Sequence, residues 1–397
     1  MEDKIIKIKG VVQPYTWGGY DFIPSLLGID NSAKQPFAEY WLGTHRSAPG
    51  MLETEEGLQN WISLIEQNPE EHLGKIVTDQ YGELPYLLKI LDVREMLSIQ
   101  VHPTKQGAEI GFQEEEERGI PITAVNRNYK DKNHKPEVMI ALGEFWLLHG
   151  FKMEGDLKKV LSSIPEFTGL QTYFSDGGYK GLYSYVMEMP QAQVDTLLIP
   201  LVERELNNTH SKDTPGYWVN KLYDGKMPVR NIDRGIFSIY FFNIVKLQKG
   251  EGIFQGSGLP HAYLEGQNVE LMVNSDNVLR GGLTPKHIDV GELLKHIDFK
   301  GLVPEILNGE VNFDGERNYA LPVPDFGISE LQLSNGYEYI SNSFSAEIYL
   351  VLEGEVNCHH LNCKRGEAFV VLADTDYTIR GVSDALLYKA YVPHIIE

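Results

Sequence analysis

The sequence predicts a mainly β protein with an inserted α-helical region, built on two related jelly-roll barrels of which the second is degenerate. Three observations support this fold class. Strand-like segments punctuated by glycine and proline dominate the first 150 residues, helical periodicity follows from about Met153 to residue 230, and residues from about 320 to 397 again have β character. A helical segment between β-rich segments indicates an insertion into a β domain.

Five segments of the N-terminal region are rich in β-favouring residues and are bounded by turn residues, as strands are. They are KIIKIKGVVQPYTWGG, FAEYWLGTH, LPYLLKILD, LSIQVHP and PEVMIALGEFWLLHG. One further segment, GLQNWISLIEQNPEEHLGKIV, has apolar residues near helical spacing. It predicts a single helix among the strands.

The middle of the chain predicts short helices interrupted by prolines, in DLKKVLSSI, SYVMEMPQAQVDTLLIPLVERELNN and TPGYWVNKLYDG. Strand character returns at FSIYFFNIVKLQKGEGIF and LPHAYLEG. We therefore expect one barrel domain at residues 1–152 and 231–320, a helical domain at 153–230 and a C-terminal β-barrel at 321–397.

A faint repeat relates the two β regions. When KGEGIFQGSGLPHAYLEG, from Lys249, is set beside RGEAFVVLADTDYTIRG, from Arg365, their Gly-Glu pairs align and His261 aligns with Tyr377. A strand, a Gly-containing turn and a second strand are typical of jelly-roll barrels. Because one copy has an imidazole where the other has a phenol, we expect ligand-type chemistry only in the first barrel.

Composition narrows the function classes. The 397 residues are 42% hydrophobic and carry a net charge of −21, so nucleic acid and anionic membrane are poor partners, whereas a small anionic substrate still fits. No apolar run approaches the ~18 residues of a membrane span, and MEDKIIKIKG lacks the apolar core of a signal peptide. Two cysteines form no disulfide framework. We expect a cytoplasmic monomer.

Polar and apolar residues alternate in LSIQVHP. If this segment is a strand, Ser98, Gln100 and His102 share one face, because successive side chains of a strand point to opposite faces. Three polar groups on one side of an otherwise core-like strand would be buried without compensation unless they bind something.

Other strand-like segments also carry polar residues, and the same alternation places Lys135 beside Glu137 and His261 beside Tyr263. Two imidazoles and a carboxylate suit Zn²⁺, Fe²⁺ or Mn²⁺. A neutral glutamine oxygen would leave a zinc centre with one carboxylate at a charge of about +1, which preserves Lewis acidity. The candidate metal ligands are Gln100, His102, Glu137 and His261.

Several long motifs carry a resemblance to a known family. QPYTWGG, LSIQVHP, RNYKDKNHKPE, LPHAYLEG and NSDNVLRGGLTPK resemble, in the same order, motifs of the type I phosphomannose isomerases, which are zinc enzymes of the cupin superfamily. The resemblance spans about residues 5 to 300, and the last 80 residues match only in type.

The resemblance implies a zinc-dependent aldose-ketose isomerase that interconverts mannose 6-phosphate and fructose 6-phosphate. The expected partner is therefore a small sugar phosphate. It also implies cupin barrels, with one Zn²⁺ per chain held by Gln100, His102, Glu137 and His261. Ser98 would point into the same pocket and hold the substrate phosphate.

The reaction itself makes demands on the site. Moving a carbonyl from C1 to C2 removes a proton from the adjacent carbon and creates an enediolate, whose charge Arg280 is expected to stabilise. The proton carrier stays open among Glu270, His134, Lys135 and Asp276. Expected substrate contacts are Trp17, Lys89, Ser98, Tyr263 and Lys286.

Two other functions stay open at this point. An iron-dependent cupin oxygenase would need open coordination positions and a pocket for O₂, whereas Arg280 and Lys135 favour an anionic sugar. A metal-free cupin that senses or stores a sugar phosphate would not need the ligand set. The segment NCHHLNC predicts a two-stranded hairpin and no second metal site, because the adjacent His359 and His360 must face opposite ways.

Overall fold

A computed structural model of the chain describes residues 4–394. In its first part, strands and short helices alternate. The strands are β1 (Ile5–Lys9), β2 (Val11–Gln13), β3 (Glu39–Gly43), β4 (Met51–Thr54), β5 (Gly57–Asn60), β6 (Tyr86–Val93), β7 (Gln100–Val101), β8 (Glu137–Ala141) and β9 (Phe145–Phe151). The helices are α1 (Phe22–Leu27), α2 (Trp61–Gln67), α3 (Pro69–Leu73), α4 (Lys75–Tyr81) and α5 (Lys105–Glu117).

The single helix expected from GLQNWISLIEQNPEEHLGKIV is wrong in detail, since the segment forms β5 and then α2, α3 and the start of α4. Asn60 caps α2 by accepting a hydrogen bond from the backbone N–H of Ile62. Pro69 begins α3, and Gly74, with a φ of 82°, separates α3 from α4. Proline and a left-handed glycine both interrupt a helix, so helical spacing alone overstated its length.

The middle of the chain is helical. It consists of α6 (Glu154–Ser163), a 3₁₀ helix (Pro165–Leu170), α7 (Gln171–Glu188), α8 (Gln191–Leu206), α9 (Pro215–Leu222) and α10 (Gly235–Phe241). The strand expected from FSIYFF is wrong, because α10 runs to Phe241 and the strand begins only at Phe242. Every residue of α10 is buried, and an apolar run without periodicity does not distinguish a buried helix from a buried strand.

The rest of the chain is almost entirely β. It contains β10 (Phe242–Leu247), β11 (Gly252–Gln255), β12 (His261–Val273), β13 (Leu279–Arg280), α11 (Val290–His296), β14 (Glu310–Val311), β15 (Glu316–Tyr319), β16 (Gly327–Leu333), β17 (Glu338–Ser343), β18 (Glu347–Glu353), β19 (Glu355–Cys358), β20 (Leu361–Lys364), β21 (Ala368–Val371), β22 (Thr375–Gly381) and β23 (Ala385–Tyr391). The hairpin expected from NCHHLNC is confirmed as β19 and β20, with buried Cys358 and Cys363.

Three antiparallel sheets organise these strands. A ten-stranded sheet follows the order β10-β9-β12-β6-β3-β2, with β7, β8, β11 and β13 attached. A nine-stranded sheet follows β14-β15-β16-β23-β18-β21-β1-β4-β5, and a four-stranded sheet follows β17-β22-β19-β20. The mainly β architecture with helices is thereby confirmed. Strand β1 pairs with β21, so the N-terminal strand lies in the sheet of the C-terminal region.

Strand β12 is the element that links the parts of the large sheet. Its first half pairs with β7 and β9, and its second half pairs with β6 and β8. Between the halves lies Gly266, whose φ of 129° permits the change of direction. The Tyr263 hydroxyl in the first half donates to Glu270 in the second half at 2.8 Å, so β12 bends toward the face that carries these side chains and makes that face concave.

The two faces of β9 and β12 pack differently. Leu148 and Leu264 pack with the helices in one apolar cluster, whereas Leu147 and Tyr263 pack with Met139 and neighbours on the opposite face. Side chains of β9 and β12 that alternate with the helix-facing ones thus point away from the helices. None of the helices in the described part of the chain is long and apolar enough to cross a membrane.

Candidate metal centre and active site

Three predicted metal ligands converge on that concave face. His102 Nε2 lies 3.4 Å from Glu137 Oε1, and His261 Nε2 lies 3.5 Å from Glu137 Oε2. The ligand atoms of the three residues all lie within 4.8 Å of one another, and all three side chains are buried. His102 follows β7, Glu137 begins β8 and His261 begins β12, so rigid strands hold each residue.

The hydrogen bonds of the two histidines define their tautomers. Nδ1 of His102 lies 2.9 Å from the carbonyl oxygen of Asn277, and Nδ1 of His261 lies 2.9 Å from that of Leu259. Because a carbonyl only accepts, each Nδ1 carries a hydrogen, and Nε2 is the ring nitrogen that faces Glu137. Among residues 4–394, the buried Nε2 of His102 has no hydrogen-bond partner.

Charge at this triad favours a cation. Burial lowers the pKa of His102 to about 4, so its imidazole is neutral at pH 7. Burial acts to raise the pKa of Glu137, but the nearby Lys135 and His102 outweigh it and hold the pKa well below the ordinary value. Lys135 Nζ lies 2.9 Å from Glu137 Oε1. Two imidazoles and one carboxylate are a ligand set that suits zinc.

Gln100 lies beside the triad. In the antiparallel pairing it is directly opposite His261 on β12 and opposite Arg280 on β13. Residues directly opposite each other project to the same face of a sheet. The half-buried amide of Gln100 is therefore next to the imidazole of His261, where a fourth ligand is expected.

The strand expected at LSIQVHP is shorter than predicted, with ladder geometry only at Gln100–Val101. The chain on either side remains bonded to neighbours, since Leu97 N–H donates to the carbonyl of Tyr263 and Ile99 N–H donates to that of Gly282. Ser98 is half-buried in this segment.

A second buried network adjoins the metal centre and contains Glu270. Lys89 Nζ lies 3.1 Å from Glu270 Oε2 and 3.5 Å from Glu39 Oε2, and the Tyr263 hydroxyl donates to Glu270 Oε1 at 2.8 Å. Burial, assisted by the charge of Glu137, raises the pKa of Glu270 although Lys89 opposes it. Lys89, a predicted phosphate contact, is thus paired with carboxylates.

Asp276 lies at the exposed rim and has a partner that the sequence did not reveal. Its Oδ2 lies 3.3 Å from Nε2 of the buried His45, and His45 Nδ1 lies 2.8 Å from the Ser47 hydroxyl. Burial acts to raise the pKa of Asp276, but the hydrogen bond from His45 leaves it lowered. Asp276 is therefore ionised at neutral pH.

His134 is the predicted site residue that points elsewhere. Its Nε2 lies 3.2 Å from Asp325 Oδ1, in the segment before β16, and it does not join the ligand atoms of Glu137. Lys135, the next residue along the extended chain, contacts Glu137 instead. This opposite orientation follows from strand alternation, which the sequence had indicated.

Two cations and an aromatic residue complete the rim. Burial lowers the pKa of Arg280, and its buried Nε has no hydrogen-bond partner in residues 4–394. Burial, assisted by the charge of Arg280, lowers the pKa of Lys286. Trp17 is half-buried and stacks on Tyr15 with ring centroids 6.0 Å apart.

Comparisons with known proteins agree with one another. A sequence model of the family "Phosphomannose isomerase type I, catalytic domain" matches residues 5–154. The mannose-6-phosphate isomerase of Salmonella typhimurium (strain LT2) is 35% identical over 380 residues, covering 93% of this chain and 95% of the relative. Mannose-6-phosphate isomerase 2 of Arabidopsis thaliana is 31% identical, covering 98% and 94%.

This chain belongs to the type I phosphomannose isomerase family. A solved structure described as zinc-bound mannose 6-phosphate isomerase superposes with a TM-score of 0.88 at 32% identity, covering 99% of this chain and all of that one. The resemblance seen in the sequence motifs is thereby confirmed. His102, Glu137 and His261 fit one Zn²⁺ per chain, as the phosphomannose isomerase family implies.

One histidine near the metal centre was missed in the sequence. His149 lies in β9 directly opposite His261, is 4% exposed, and its Nδ1 has no partner among the described residues. Burial and the neighbouring His261 lower its pKa to about 3. The surrounding sequence, FWLLHGF, is an apolar run that does not suggest a site. The one sequence signal was strand alternation, which places the side chain of His149 on the same face as that of Leu147.

Proposed function

We propose that this phosphomannose isomerase family member interconverts mannose 6-phosphate and fructose 6-phosphate by proton transfer through an enediolate. The observation that carries the proposal is the buried triad of His102, Glu137 and His261 beside a buried carboxylate, Glu270, of raised pKa. The relatives named mannose-6-phosphate isomerase, which match nearly the whole chain, support the substrate.

The metal centre is proposed to contain four ligands, Gln100, His102, Glu137 and His261. The cross-strand position of Gln100 opposite His261 supports its inclusion. When bound, zinc supplies a Lewis acid that polarises substrate oxygens. The carbonyls of Asn277 and Leu259 hold the two imidazoles with Nε2 toward the centre, which is the usual outer support of histidine ligands.

Glu270 is the proposed proton carrier. A base that exchanges a proton at a carbon works best with a pKa moved toward neutrality, and burial moves the pKa of Glu270 in that direction. Tyr263 fixes one of its oxygens by a hydrogen bond. Lys135 contacts Glu137, and His134 contacts Asp325, so both are less suited to this role. Asp276 and Lys135 remain proposed for proton relay during ring opening.

Arg280 is proposed to stabilise the enediolate. Its unpartnered Nε and its position opposite Gln100 support a donor directed at the reacting atoms. Lys286 and Ser98 are the proposed phosphate contacts, and Trp17 a wall of the sugar site. Lys89 pairs with Glu270 and Glu39, so we propose that it adjusts the pKa of Glu270 and does not bind the phosphate.

Finer features of the fold remain proposals as well. The concave face of β6, β8, β9, β11 and β12, with its own apolar cluster, supports a catalytic cupin barrel at residues 1–152 and 231–320. Residues 153–230 are proposed as an inserted helical domain and 321–397 as a degenerate cupin barrel. We also propose a monomer in the cytoplasm, which size-exclusion chromatography and fractionation would test.

Metal analysis combined with a coupled assay tests the function. Purified protein should contain about one zinc per chain and convert mannose 6-phosphate to fructose 6-phosphate. A chelator should abolish turnover, added Zn²⁺ should restore it, and circular dichroism must show that the zinc-free protein stays folded. Near-stoichiometric iron would favour the oxygenase, and full activity without metal would refute the zinc assignment.

A further inference from the structure

Gln255 is a buried side chain without a partner. It ends β11, it is 0% exposed, and neither its amide oxygen nor its amide nitrogen has a hydrogen-bond partner among residues 4–394. Burying an amide without hydrogen bonds costs free energy, and an apolar residue would fit the strand GIFQ at no such cost. The side chain therefore calls for a functional explanation.

The pairing of β11 with β8 places Gln255 next to the metal centre. Gln255 is directly opposite Glu137, and two residues earlier Ile253 is opposite Met139. Ile253 and Met139 belong to one apolar cluster on the concave face. By strand alternation, Gln255 and Glu137 share that face, with their Cβ atoms about 4.5–5.5 Å apart as in any directly opposed pair.

In the described part of the chain, Lys135 is the one residue outside the proposed ligands that forms an ion pair with the carboxylate of Glu137. Lys135 contacts Oε1 at 2.9 Å, and the two other neighbours within 3.5 Å, His102 and His261, are themselves metal ligands. Carboxylates that bind metals are generally held by hydrogen bonds from surrounding groups, and loss of such a group weakens metal binding. An amide on the facing strand can supply one.

We infer that Gln255 is a positioning residue for the metal centre, and that its side-chain amide, which has no partner among the described residues, donates to Glu137 when zinc is bound and holds the carboxylate in its metal-binding orientation. This inference rests on the zinc site of the proposed function. It assigns a role toward the metal to a residue outside the proposed ligands and substrate contacts.

The chain offers a matched control. Asn268 in β12 is also 0% exposed, and both polar atoms of its amide also lack partners in the described residues. Its cross-strand neighbours are Leu91 and Ala141, which bind no metal. Replacing Asn268 removes an equally buried amide from the same sheet without touching the ligands.

The test compares the zinc affinity of Gln255→Met, Asn268→Leu and the unsubstituted protein by competition with a chromophoric chelator. Gln255→Met keeps the length of the side chain and removes its amide, so zinc affinity should fall ~10- to 100-fold. The Tm of the zinc-free Gln255→Met protein should stay the same or rise, because an unsatisfied amide is lost. Asn268→Leu should leave zinc affinity unchanged.

Three results would overturn the inference. Zinc affinity of Gln255→Met within about twofold of the unsubstituted value is one. Equal weakening by Asn268→Leu is the second, since the effect would then come from any buried amide. Absence of zinc binding by the unsubstituted protein is the third, and it alone would also reject the zinc assignment. If circular dichroism shows that Gln255→Met does not fold, Gln255→Leu takes its place with the same criteria.

Discussion

Arg280 is the residue whose charge most directly tests the proposed chemistry. Its stabilising interaction with the enediolate develops only on the way to the transition state, so Arg280→Met should lower kcat more than it raises KM. Removing one such donor typically costs ~10²- to 10³-fold, or about 3 to 4 kcal/mol. Steady-state kinetics with mannose 6-phosphate provide the measurement, and zinc content should stay near one per chain because arginine is no ligand.

Lys286→Met is the matched comparison for Arg280→Met. The phosphate is charged in both the ground state and the transition state, so loss of a phosphate contact should mainly raise KM. Arg280 is half-buried opposite Gln100, whereas Lys286 is more exposed than Arg280, which agrees with these different roles. A rise of KM with unchanged kcat in Arg280→Met would move Arg280 to the phosphate site.

Lys89 gives a pH-dependent prediction. Its ammonium, 3.1 Å from Glu270, opposes the rise in the pKa of that carboxyl that burial causes. A base must be ionised to act, so kcat should fall as the pH falls through the raised pKa of Glu270. Lys89→Met removes the opposing charge, raises this pKa further and should move the acidic limb of kcat to higher pH by roughly one unit or more. Lys89→Arg, which keeps the charge, should leave the limb nearly in place. An acidic limb that does not move in Lys89→Met would exclude Glu270 as the base.

Strands were easier to predict than helices, and the reason is local. Alternation correctly placed Lys135 with Glu137 and turned His134 away, because side-chain direction in a strand depends only on position. The predicted helix was too long because Pro69 and Gly74 divide it. The buried helix α10 has no periodicity that would distinguish it from a strand. The secondary structure of such a segment depends on its tertiary contacts and not on its own sequence pattern.

Partners from distant strands could not be predicted at all. Three residues acquire their interest from partners that are distant in the sequence. His45 contacts Asp276, and strand pairing places His149 opposite His261 and Gln255 opposite Glu137. Nothing near them in the sequence indicates these partners. The candidate metal ligands were found because all four lie in motifs whose family resemblance covers most of the chain, not because their spacing predicted the contact.

Gly266 gives a prediction for β12 as an element. Its φ is 129°, and a Cβ built there would lie 2.6 Å from a side-chain carbon of Phe145 and 2.7 Å from the carbonyl oxygen of Glu144. Gly266→Ala should therefore lower the free energy of unfolding by about 2 to 4 kcal/mol, measured by urea denaturation of the zinc-free protein. It should also weaken zinc binding, since His261 lies before the bend, whereas β8, which begins with Glu137, pairs with the half of β12 after the bend.

Gly143 is the control for Gly266. It lies between β8 and β9, has no atoms within 4 Å of a built Cβ, and is not among the glycines with positive φ. Gly143→Ala should change the free energy of unfolding by less than about 1 kcal/mol. Equal destabilisation by both substitutions would mean that the bend at Gly266 has no special role.

At the scale of the whole molecule, the β region that contains the metal ligands and the C-terminal β region differ in the polar groups that they bury. The first contains the buried cluster of His102, Glu137 and His261, in which Nε2 of His102 has no hydrogen-bond partner among residues 4–394, whereas the second contains a satisfied polar network. There the Tyr377 hydroxyl donates to Glu347 at 2.5 Å, and Lys389 Nζ lies 2.7 Å from Glu316. The buried charges Glu347, Glu316 and Lys389 of this network have partners, so the network stabilises the fold, and no metal-type cluster is found there among the described residues.

This asymmetry predicts different results for two exchanges at the aligned positions. His261→Tyr removes a ligand and should abolish zinc binding and turnover. Tyr377→His removes a hydrogen-bond donor from the buried Glu347, so it should lower stability by about 1 to 3 kcal/mol while zinc content and kcat stay unchanged. Zinc analysis, the coupled assay and thermal unfolding of both variants provide the measurements. Loss of zinc and activity in Tyr377→His, as in His261→Tyr, would contradict this prediction. The second β region would then contribute to the reaction and not only to the stability of the chain.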